Sequence, residues 1–332
     1  MKRKKRFIVA LAGVLALLTI EPAGAQQLTE QIDDEAVVVG FSQIGSESDW
    51  RIANTQSVKD TLSGDGFYLL FEDAQQKQEK QVKAIRNFIL QDVDYIVLNP
   101  IVETGWDLVL QEVKDAHIPV IVVDRQVKVE DDDLYTCWIG SDFEKEGRDA
   151  GEWLASYLEE AGRDQEKINI VILEGTTDSS AQIGRTKGFE SVLAEHDNWN
   201  LLDKQDGDFT QAKGKEVMKE MLSRYEDIDV LISENDNMTF GAIEAIKESG
   251  RTCGLEGDMI VISFDAVKAA FDAMIEGNIN AEFECNPING PRIKEVIQKL
   301  ENGEEVDKIQ YLEETYFDLS MDLEKIREER PY

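Results

Sequence analysis

The chain has 332 residues, of which 68 are acidic and 35 are basic, giving a formal net charge of −33. A surface this acidic repels nucleic-acid phosphates and argues against a nucleic-acid partner. The three cysteines (Cys137, Cys253, Cys285) have no C-x-x-C spacing and only two histidines are present, so neither a zinc site nor a Ser-His-Asp triad is indicated, while one disulfide with one free thiol is left open.

The N-terminus has the pattern of a secretory signal peptide. Basic residues from Lys2 to Arg6 precede an apolar run, Phe7 to Ile20, and Ala23-Gly24-Ala25 forms a small-residue cleavage site. We therefore predict that residues 1–25 are removed. The mature protein is then expected to be periplasmic or secreted, with no direct membrane insertion after cleavage.

The next part of the chain alternates short aliphatic strands with longer helices. The predicted strands are Val37–Val39, Tyr68–Phe71, Tyr95–Leu98, Val120–Val123 and Thr136–Ile139, and the predicted helices are Ile52–Ser63, Gln75–Gln91 and Thr104–Ala116. This periodicity is typical of buried strands that are covered by amphipathic helices.

A second series of the same kind begins at Ser141-x-x-Glu144, which has the spacing of a helix capping box. Helices are predicted at 141–161, 181–194, 210–223, 237–249, 267–276 and from Pro287 to about 300, with strands at 169–173, weakly near 201, and at 230–233, 259–264 and 280–285. Two such series predict an α/β fold of two doubly wound parallel-sheet lobes, joined without a flexible linker.

Polar residues follow several of the predicted strands. Asp124-Arg125 comes directly after one strand, Asn99 and Asp265 follow two others, and Asn235 lies one residue beyond a fourth. Ligands of open α/β sheets bind beyond the carboxyl ends of the strands. Any one of these residues has a structural interpretation as a helix cap, but the set indicates a polar cleft.

Trp50 and Arg51 begin the first predicted helix and belong to the same region. Carboxylates accept hydrogen bonds from sugar hydroxyls, an arginine donates in a planar fork, and an indole covers the apolar face of a sugar ring. The alternative for Trp50 is packing in the core. Together these residue types favour a small sugar as ligand.

Enzymatic motifs are missing from the sequence. It contains no P-loop, no G-x-G-x-x-G after the first strand and no G-x-S-x-G elbow. Asp124 and Asp265 could oppose each other like a glycosidase pair, but Arg125 favours two ionised hydrogen-bond acceptors over an acid and a base. We predict no catalytic residue, no cofactor and no metal.

Several stretches together carry a resemblance to a known family. They are residues 39–51 (VGFSQIGSESDWR), 75–79 (QQKQE), 81–86 (QVKAIR), 104–106 (TGW), 118–120 (IPV), 123–125 (VDR), 185–189 (RTKGF), 207–210 (GDFT), 213–218 (KGKEVM), 235–238 (NDNM) and 241–243 (GAI). In this order and spacing the chain resembles periplasmic sugar-binding proteins of the ribose-binding-protein class. Within that class it is most similar to the galactofuranose-binding proteins of ABC importers, and the resemblance covers essentially the whole mature chain.

The resemblance implies a periplasmic-binding-protein type I fold with a ligand cleft between its lobes. The chain would cross between the lobes three times, near Gly140, Asn286 and Leu312, and these crossings would form the hinge. Lobe 1 would comprise residues 36–140 plus about 286–312, and lobe 2 would comprise residues 141–285 plus about 313–332.

The resemblance also implies a set of ligand-binding residues. Trp50, Arg51, Asp124 and Arg125 would contact the sugar from lobe 1, and Arg185, Phe209, Asn235 and Asp265 from lobe 2; Asn99, Ser141 and Glu284 are weaker candidates. The chain departs from the family pattern at Ala266, where a glycine is common, and at Cys285, where ribose binders have a glutamine. The second departure leaves the identity of the sugar open.

The expected function is that of a non-enzymatic, monomeric solute-binding protein that captures a monosaccharide by lobe closure and delivers it to an ABC import permease. The alternative is a sugar-sensing protein that docks on a chemoreceptor or a sensor kinase. The effector part of a sugar-responsive repressor shares the fold, but the signal peptide and the lack of a basic DNA-binding head argue against it.

Overall fold

The computed structural model describes residues 35–332, so the predicted signal peptide lies outside the described residues. The strands are β1 Val37–Gln43, β2 Phe67–Asp73, β3 Tyr95–Leu98, β4 Val120–Val123, β5 Cys137–Gly140, β6 Ile168–Glu174, β7 Trp199–Asp206, β8 Val230–Ser233, β9 Ile260–Asp265, β10 Ala281–Glu284, β11 Ile309–Tyr311 and β12 Tyr316–Asp318. The helices are α1 Asp49–Leu62, α2 Gln78–Leu90, α3 Asp107–Asp115, α4 Phe143–Glu160, α5 Ser180–Leu193, α6 Gln211–Arg224, α7 Asp236–Glu248, α8 Lys268–Ile275, α9 Gly290–Glu301 and α10 Leu323–Glu329.

The strands form two separate six-stranded sheets. The first has the order β11-β5-β4-β3-β1-β2 and is parallel throughout. The second has the order β12-β10-β9-β8-β6-β7 and is parallel except for the antiparallel edge strand β12. Helices alternate with the strands, and each sheet has apolar clusters on it. The predicted α/β architecture of two doubly wound lobes is confirmed.

The chain passes between the two sheets three times. The first passage lies between β5 and α4, the second between β10 and α9, and the third between β11 and β12. After the second passage, α9 returns to pack on α1, and β11 pairs with β5. These three short passages join the lobes in the manner of a hinge.

Buried aliphatic runs explain why these segments are central strands. Every residue of β3, β4, β5 and β8 is buried, as expected for parallel strands covered by helices on both faces. The carboxyl ends of the central strands meet at one edge of each sheet, and these two edges face each other across the cleft. This arrangement brings residues that are distant in sequence to one site.

The structure corrects several local predictions. Helix α4 is capped by Asp142, whose side chain accepts from the backbone N–H of Lys145, and not by Ser141. The strand near Leu201 is a full eight-residue edge strand, β7, while the short strands β11 and β12 had no prediction. All three cysteines are buried free thiols, so the disulfide that the sequence left open is not formed.

None of the helices between residues 35 and 332 is long and apolar enough to cross a membrane.

Candidate functional site

A cavity with about 300 Å³ of empty space, part of it open to solvent, lies between the lobes. It is lined by Glu47, Ser48, Trp50, Arg51, Asp124, Arg125, Phe143, Ala181, Arg185, Phe209, Asn235, Asp265 and Cys285. All eight residues predicted as main ligand contacts are in this lining. The weaker candidates Asn99, Ser141 and Glu284 are not.

The backbone at the strand ends is unusual. Asp124, which follows β4, has φ 59°, and Asp265, which ends β9, has φ 103°. Ala266 and Phe209 also have positive φ values, 55° and 54°. Non-glycine residues in this region are strained, and such strain concentrates at functional sites. The positive φ of Ala266 is a conformation that glycine adopts without strain, in line with the glycine that the family resemblance implies here.

Arg51 organises the lobe 1 side of the cavity. Its guanidinium pairs with Asp124 Oδ2 at 2.8 Å and with Glu47 Oε1 at 2.9 Å, and all three side chains are buried. Burial opposes the charge of Arg51, but Asp124 and Glu47 more than compensate and raise its pKa above the ordinary value. Arg51 also lies over the Trp50 ring, 4.6 Å from its centroid.

Glu47 is a cavity residue that sequence reasoning missed. Its Oε1 accepts from Arg51, whereas its Oε2 is buried and has no hydrogen-bond partner. A buried carboxylate oxygen without a partner is costly. Glu47 lies in a loop between β1 and α1 and not directly after a strand, so a pattern of strand-end polar residues does not include it.

Arg125 bridges the two sides of the cavity. Its Nη1 donates to the Ile101 carbonyl at 2.8 Å in lobe 1, and its guanidinium lies 4.9 Å from the centroid of the Phe209 ring in lobe 2. Burial and the neighbouring charge of Arg51 lower its pKa to about 10. Arg125 therefore stays charged at neutral pH and can donate to a ligand.

Arg185 organises the lobe 2 side. It pairs with Glu146 Oε2 at 2.7 Å and with Asp265 Oδ1 at 3.2 Å, and it donates to the Glu234 carbonyl. Burial opposes its charge, but Glu146 and Asp265 raise the pKa of Arg185 well above its usual value. Its guanidinium stacks over Phe264, 5.0 Å from the ring centroid. Arg185 is therefore held in place before any ligand binds.

Asp265 is a buried carboxyl group among other charges. Burial raises its pKa well above the usual value, Arg185 opposes this shift, and the carboxyl groups of Asp236 and Glu146 add to it. Its oxygens are available to accept from a sugar hydroxyl beside the Arg185 pair.

Aromatic side chains form the walls of the cavity. Trp50 of lobe 1 packs with Phe143 and Phe209 of lobe 2 in one apolar cluster, and its indole N–H donates to the Cys285 carbonyl at 2.6 Å. The Asn235 side chain caps α7 by accepting from Met238 N, and it donates to the Phe209 carbonyl at 3.3 Å. Trp50 and Asn235 thus have structural roles in addition to their place in the lining.

The three weaker candidates lie behind or beside the cavity. With its amide oxygen facing Arg51, Asn99 donates to Asp124 Oδ2 at 3.0 Å and so supports that ion pair from behind. Ser141 donates to Glu314 at the hinge, 2.6 Å away. Glu284, the last residue of β10, pairs with Arg330 at 2.7 Å.

The lobes also touch around the rim of the cavity. Asp49 N–H donates to Asn237 Oδ1 at 2.9 Å, Glu103 N–H donates to the carbonyl of Asp178 at 3.0 Å, and Gln126 N–H donates to Ser180 Oγ at 2.8 Å. Each of these bonds joins lobe 1 to lobe 2. The structure therefore shows the closed arrangement of the lobes.

Comparison with known proteins agrees with this architecture. The family model described as periplasmic binding protein domain matches residues 39–283. The chain belongs to this family of periplasmic binding proteins. The chain is similar to the galactofuranose-binding protein YtfQ of Escherichia coli K12, to which it is 38% identical over 285 residues, covering 85% of this chain and 87% of that protein.

Two solved structures are similar over nearly the whole fold. A Mycobacterium smegmatis protein in complex with β-D-fucofuranose is 42% identical, with a TM-score of 0.82 over 86% of this chain and 92% of that one. The binding protein of the arabinose ABC transporter from Shewanella sp. ANA-3, bound to α- and β-L-arabinofuranose, is 40% identical, with a TM-score of 0.82 over 89% of this chain and 95% of that one.

Proposed function

We propose that this periplasmic binding protein captures a monosaccharide in its furanose form outside the cytoplasmic membrane and delivers it to an ABC import permease. The observation that carries the proposal is the cavity enclosed between the lobes, whose lining combines three carboxylates, three arginines and facing aromatic rings. This is the chemistry that a polyhydroxylated ring requires.

The main ligand contacts in this proposal are Trp50, Arg51, Asp124, Arg125, Arg185, Phe209, Asn235 and Asp265, with Glu47 added. Arg51 and Arg185 are fixed by protein carboxylates and Arg125 by the Ile101 carbonyl, so their remaining N–H groups are oriented before the sugar arrives. Preorganised donors lose little entropy on binding and leave a mismatched sugar with unpaired polar groups. Specificity follows from that mismatch.

The furanose assignment rests on the relatives. YtfQ is named for galactofuranose, and the two solved structures contain fucofuranose and arabinofuranose. We infer the same class of ligand for this chain.

The sugar leaves unchanged in this proposal, because the relatives are binding proteins and no histidine is among the cavity-lining residues. Asp124 and Asp265, the two carboxyl groups that could act as acid and base, are each paired with an arginine. No catalytic residue or cofactor is assigned. Recovery of unaltered sugar after long incubation is the expected result, and a hydrolysed or isomerised product would contradict it.

Calorimetry with a panel of monosaccharides tests the binding function. We expect one sugar with a substantial furanose fraction, such as galactose, arabinose or fructose, to bind with one site per chain. Asp124→Asn should weaken that binding by ~2–4 kcal/mol, because it breaks a buried charged pair, whereas Asp132→Asn at an exposed carboxylate should not. Absence of binding by every sugar in the panel would overturn the proposal.

We further propose that the protein acts as a monomer and delivers the sugar to a permease. Asp49 and Asp178 are exposed acids beside rim bonds that join the lobes, so a partner that contacts both would recognise the closed form. Asp49→Asn with Asp178→Asn should reduce sugar uptake by cells and leave calorimetric affinity unchanged. Undiminished uptake in the double variant, with no second importer present, would contradict this docking surface and favour a receptor or sensor kinase as partner.

A further inference from the structure

The three passages between the lobes meet at one buried polar cluster. Ser141 follows β5, Cys285 follows β10, and Glu314 lies between β11 and β12, so each passage contributes one residue. Ser141 Oγ donates to Glu314 Oε1 at 2.6 Å and lies 3.2 Å from Cys285 Sγ. The backbone N–H of Asn286 donates to the same Glu314 oxygen at 2.7 Å. Glu314 therefore ties all three passages together.

A second carboxylate enters this cluster from α4. Donor atoms of Glu146, Cys285 and Glu314 all lie within 4.8 Å of one another. One oxygen of Glu146, Oε2, accepts from Arg185 at 2.7 Å, but the other, Oε1, is buried and has no hydrogen-bond partner. The Glu146 residue is only 6% exposed. An unpartnered oxygen at this depth indicates that the cluster is built to receive a further group.

The donor set defines what that group is. One thiolate with two carboxylate oxygens suits a borderline divalent cation such as Zn²⁺, whereas Ca²⁺ and Mg²⁺ take oxygen ligands alone. Zn–S and Zn–O bonds of about 2.3 and 2.0–2.2 Å place tetrahedral ligand atoms roughly 3.5 Å apart, so the three donors need to move by about 1 Å at most. When metal binding displaces their protons, the thiol and the two carboxyl groups carry three negative charges, which Arg185 and a dication together balance.

We propose that Glu146, Cys285 and Glu314 bind a zinc-like divalent cation that braces the three interlobe passages. The other two thiols provide a contrast, because neither Cys137 nor Cys253 belongs to a comparable group of donors within residues 35–332. The three donors are far apart in sequence, which is why no ligand spacing is visible in the chain. The site adjoins the sugar cavity, because Cys285 also lines that cavity and Glu146 pairs with Arg185.

Cobalt(II) reports on such a site directly, since a thiolate bound to Co²⁺ gives a charge-transfer absorption. The mature protein without sugar is titrated with Co²⁺ at mildly alkaline pH, because metal ligands must lose their protons and protons compete with the metal. We expect a saturable band with one equivalent of Co²⁺ that Zn²⁺ displaces. Thermal unfolding should shift upward with Zn²⁺ present, because a ligand of the native state stabilises it.

Cys285→Ser should abolish the Co²⁺ band and the Zn²⁺-dependent thermal shift. Glu314→Gln keeps an acceptor for Ser141 and should weaken Co²⁺ binding at least tenfold. Cys253→Ser removes a buried thiol elsewhere and should leave the titration unchanged. A wild-type protein without the band, or a band of equal strength in Cys285→Ser, would overturn the proposal. Neither result depends on sugar binding, so it leaves the proposed function untouched.

Discussion

At the scale of single residues, the cavity is held by charges that pair within the protein. Arg51 is fixed between Asp124 and Glu47, and Arg185 between Glu146 and Asp265. Removing one partner of a buried pair leaves an uncompensated charge, which costs far more than the pair contributes. Substitutions that keep the shape of the side chain are therefore the informative ones.

Glu47→Gln tests the one carboxylate that the sequence did not reveal. The amide oxygen still accepts from Arg51, but the group facing the cavity changes from an acceptor to a donor. We expect sugar affinity to fall about 10- to 100-fold, the loss of one charged hydrogen bond, as measured by calorimetry. Glu72→Gln, at an exposed carboxylate, is the control, and an unchanged affinity in Glu47→Gln would show that its Oε2 does not touch the sugar.

A pH dependence of stability follows from Glu234. Burial raises its pKa from 4.5 to about 8, although Thr186 and Gly175 N–H donate to it. Between these two values the folded protein holds a proton that the unfolded chain releases, so this contribution to stability decreases as pH rises from about 4.5 to about 8. Above that range the full cost of a buried carboxylate remains.

Glu234→Gln mimics the protonated acid and should remove this slope. The measured quantity is the unfolding free energy of the variant minus that of the wild type. We expect this difference to be roughly 2–4 kcal/mol larger at pH 8 than at pH 4.5. Denaturant unfolding across the pH range measures the difference. Glu226→Gln removes the same charge at an exposed position, and its curve of unfolding free energy against pH should run parallel to that of the wild type. A parallel curve for Glu234→Gln as well would contradict the raised pKa of Glu234.

At the scale of secondary structure, glycines let α4 and α5 approach closely. A Cβ on Gly188 would lie 2.1 Å from the Glu144 carbonyl oxygen, and one on Gly147 would lie 2.0 Å from the Arg185 carbonyl oxygen. The two helices are therefore in backbone contact beside Arg185. The position of that guanidinium depends on this close approach.

Gly188→Ala should force the helices apart by about an ångström. Overpacking of this kind costs ~1–3 kcal/mol, and the shift of α5 should move Arg185 and lower sugar affinity severalfold. Gly151→Ala is the matched control, because it lies in the same helix pair but meets only the side chain of Val192. Equal losses of affinity in the two variants would mean that Arg185 does not depend on the contact at Gly188.

The elements that the sequence predicts well are those with strong periodicity. The runs Tyr95–Leu98, Val120–Val123 and Val230–Ser233 coincide with β3, β4 and β8. The polar residues after β4 and β8 line the cavity, whereas Asn99 after β3 does not. The short edge strands β11 and β12 have three residues each, all exposed or half-buried except Phe317, so local sequence does not mark them. The cap of α4 was misassigned because Ser141 and Asp142 are both good caps and only the tertiary contact with Glu314 distinguishes them.

The same reasoning explains what was missed at the site. Strand ends can be found from local patterns, whereas Glu47, Phe143 and Cys285 reach the cavity from a loop, a helix start and a hinge passage. Their convergence depends on how two sheets face each other. No property of a single segment encodes that arrangement.

At the scale of the whole molecule, the excess of acidic residues makes stability depend on salt concentration. With 68 acidic and 35 basic residues, the folded surface repels itself, and this repulsion destabilises the compact state. Salt screens such interactions, since the Debye length falls from about 10 Å at 0.1 M to 3 Å at 1 M.

We expect thermal unfolding to move upward by about 3–6 °C between roughly 0.05 and 1 M sodium chloride, equivalent to ~1–2 kcal/mol. Potassium chloride should give the same shift, because screening does not depend on the identity of the monovalent cation. A midpoint that stays constant or falls with salt would show that the surface ion pairs offset the repulsion.

The connectivity of the two sheets also dictates when each lobe can form during synthesis. In chain order, β1 is the first strand of the first sheet and β11 is its last. In the second sheet, β6 is the first strand and β12 is the last. A ribosome must therefore reach residues 309–318 before either sheet is complete. Because pairings between such distant segments close slowly, the growing polypeptide remains without a finished lobe for most of its elongation. Each lobe can therefore be completed only when nearly the whole chain has been made.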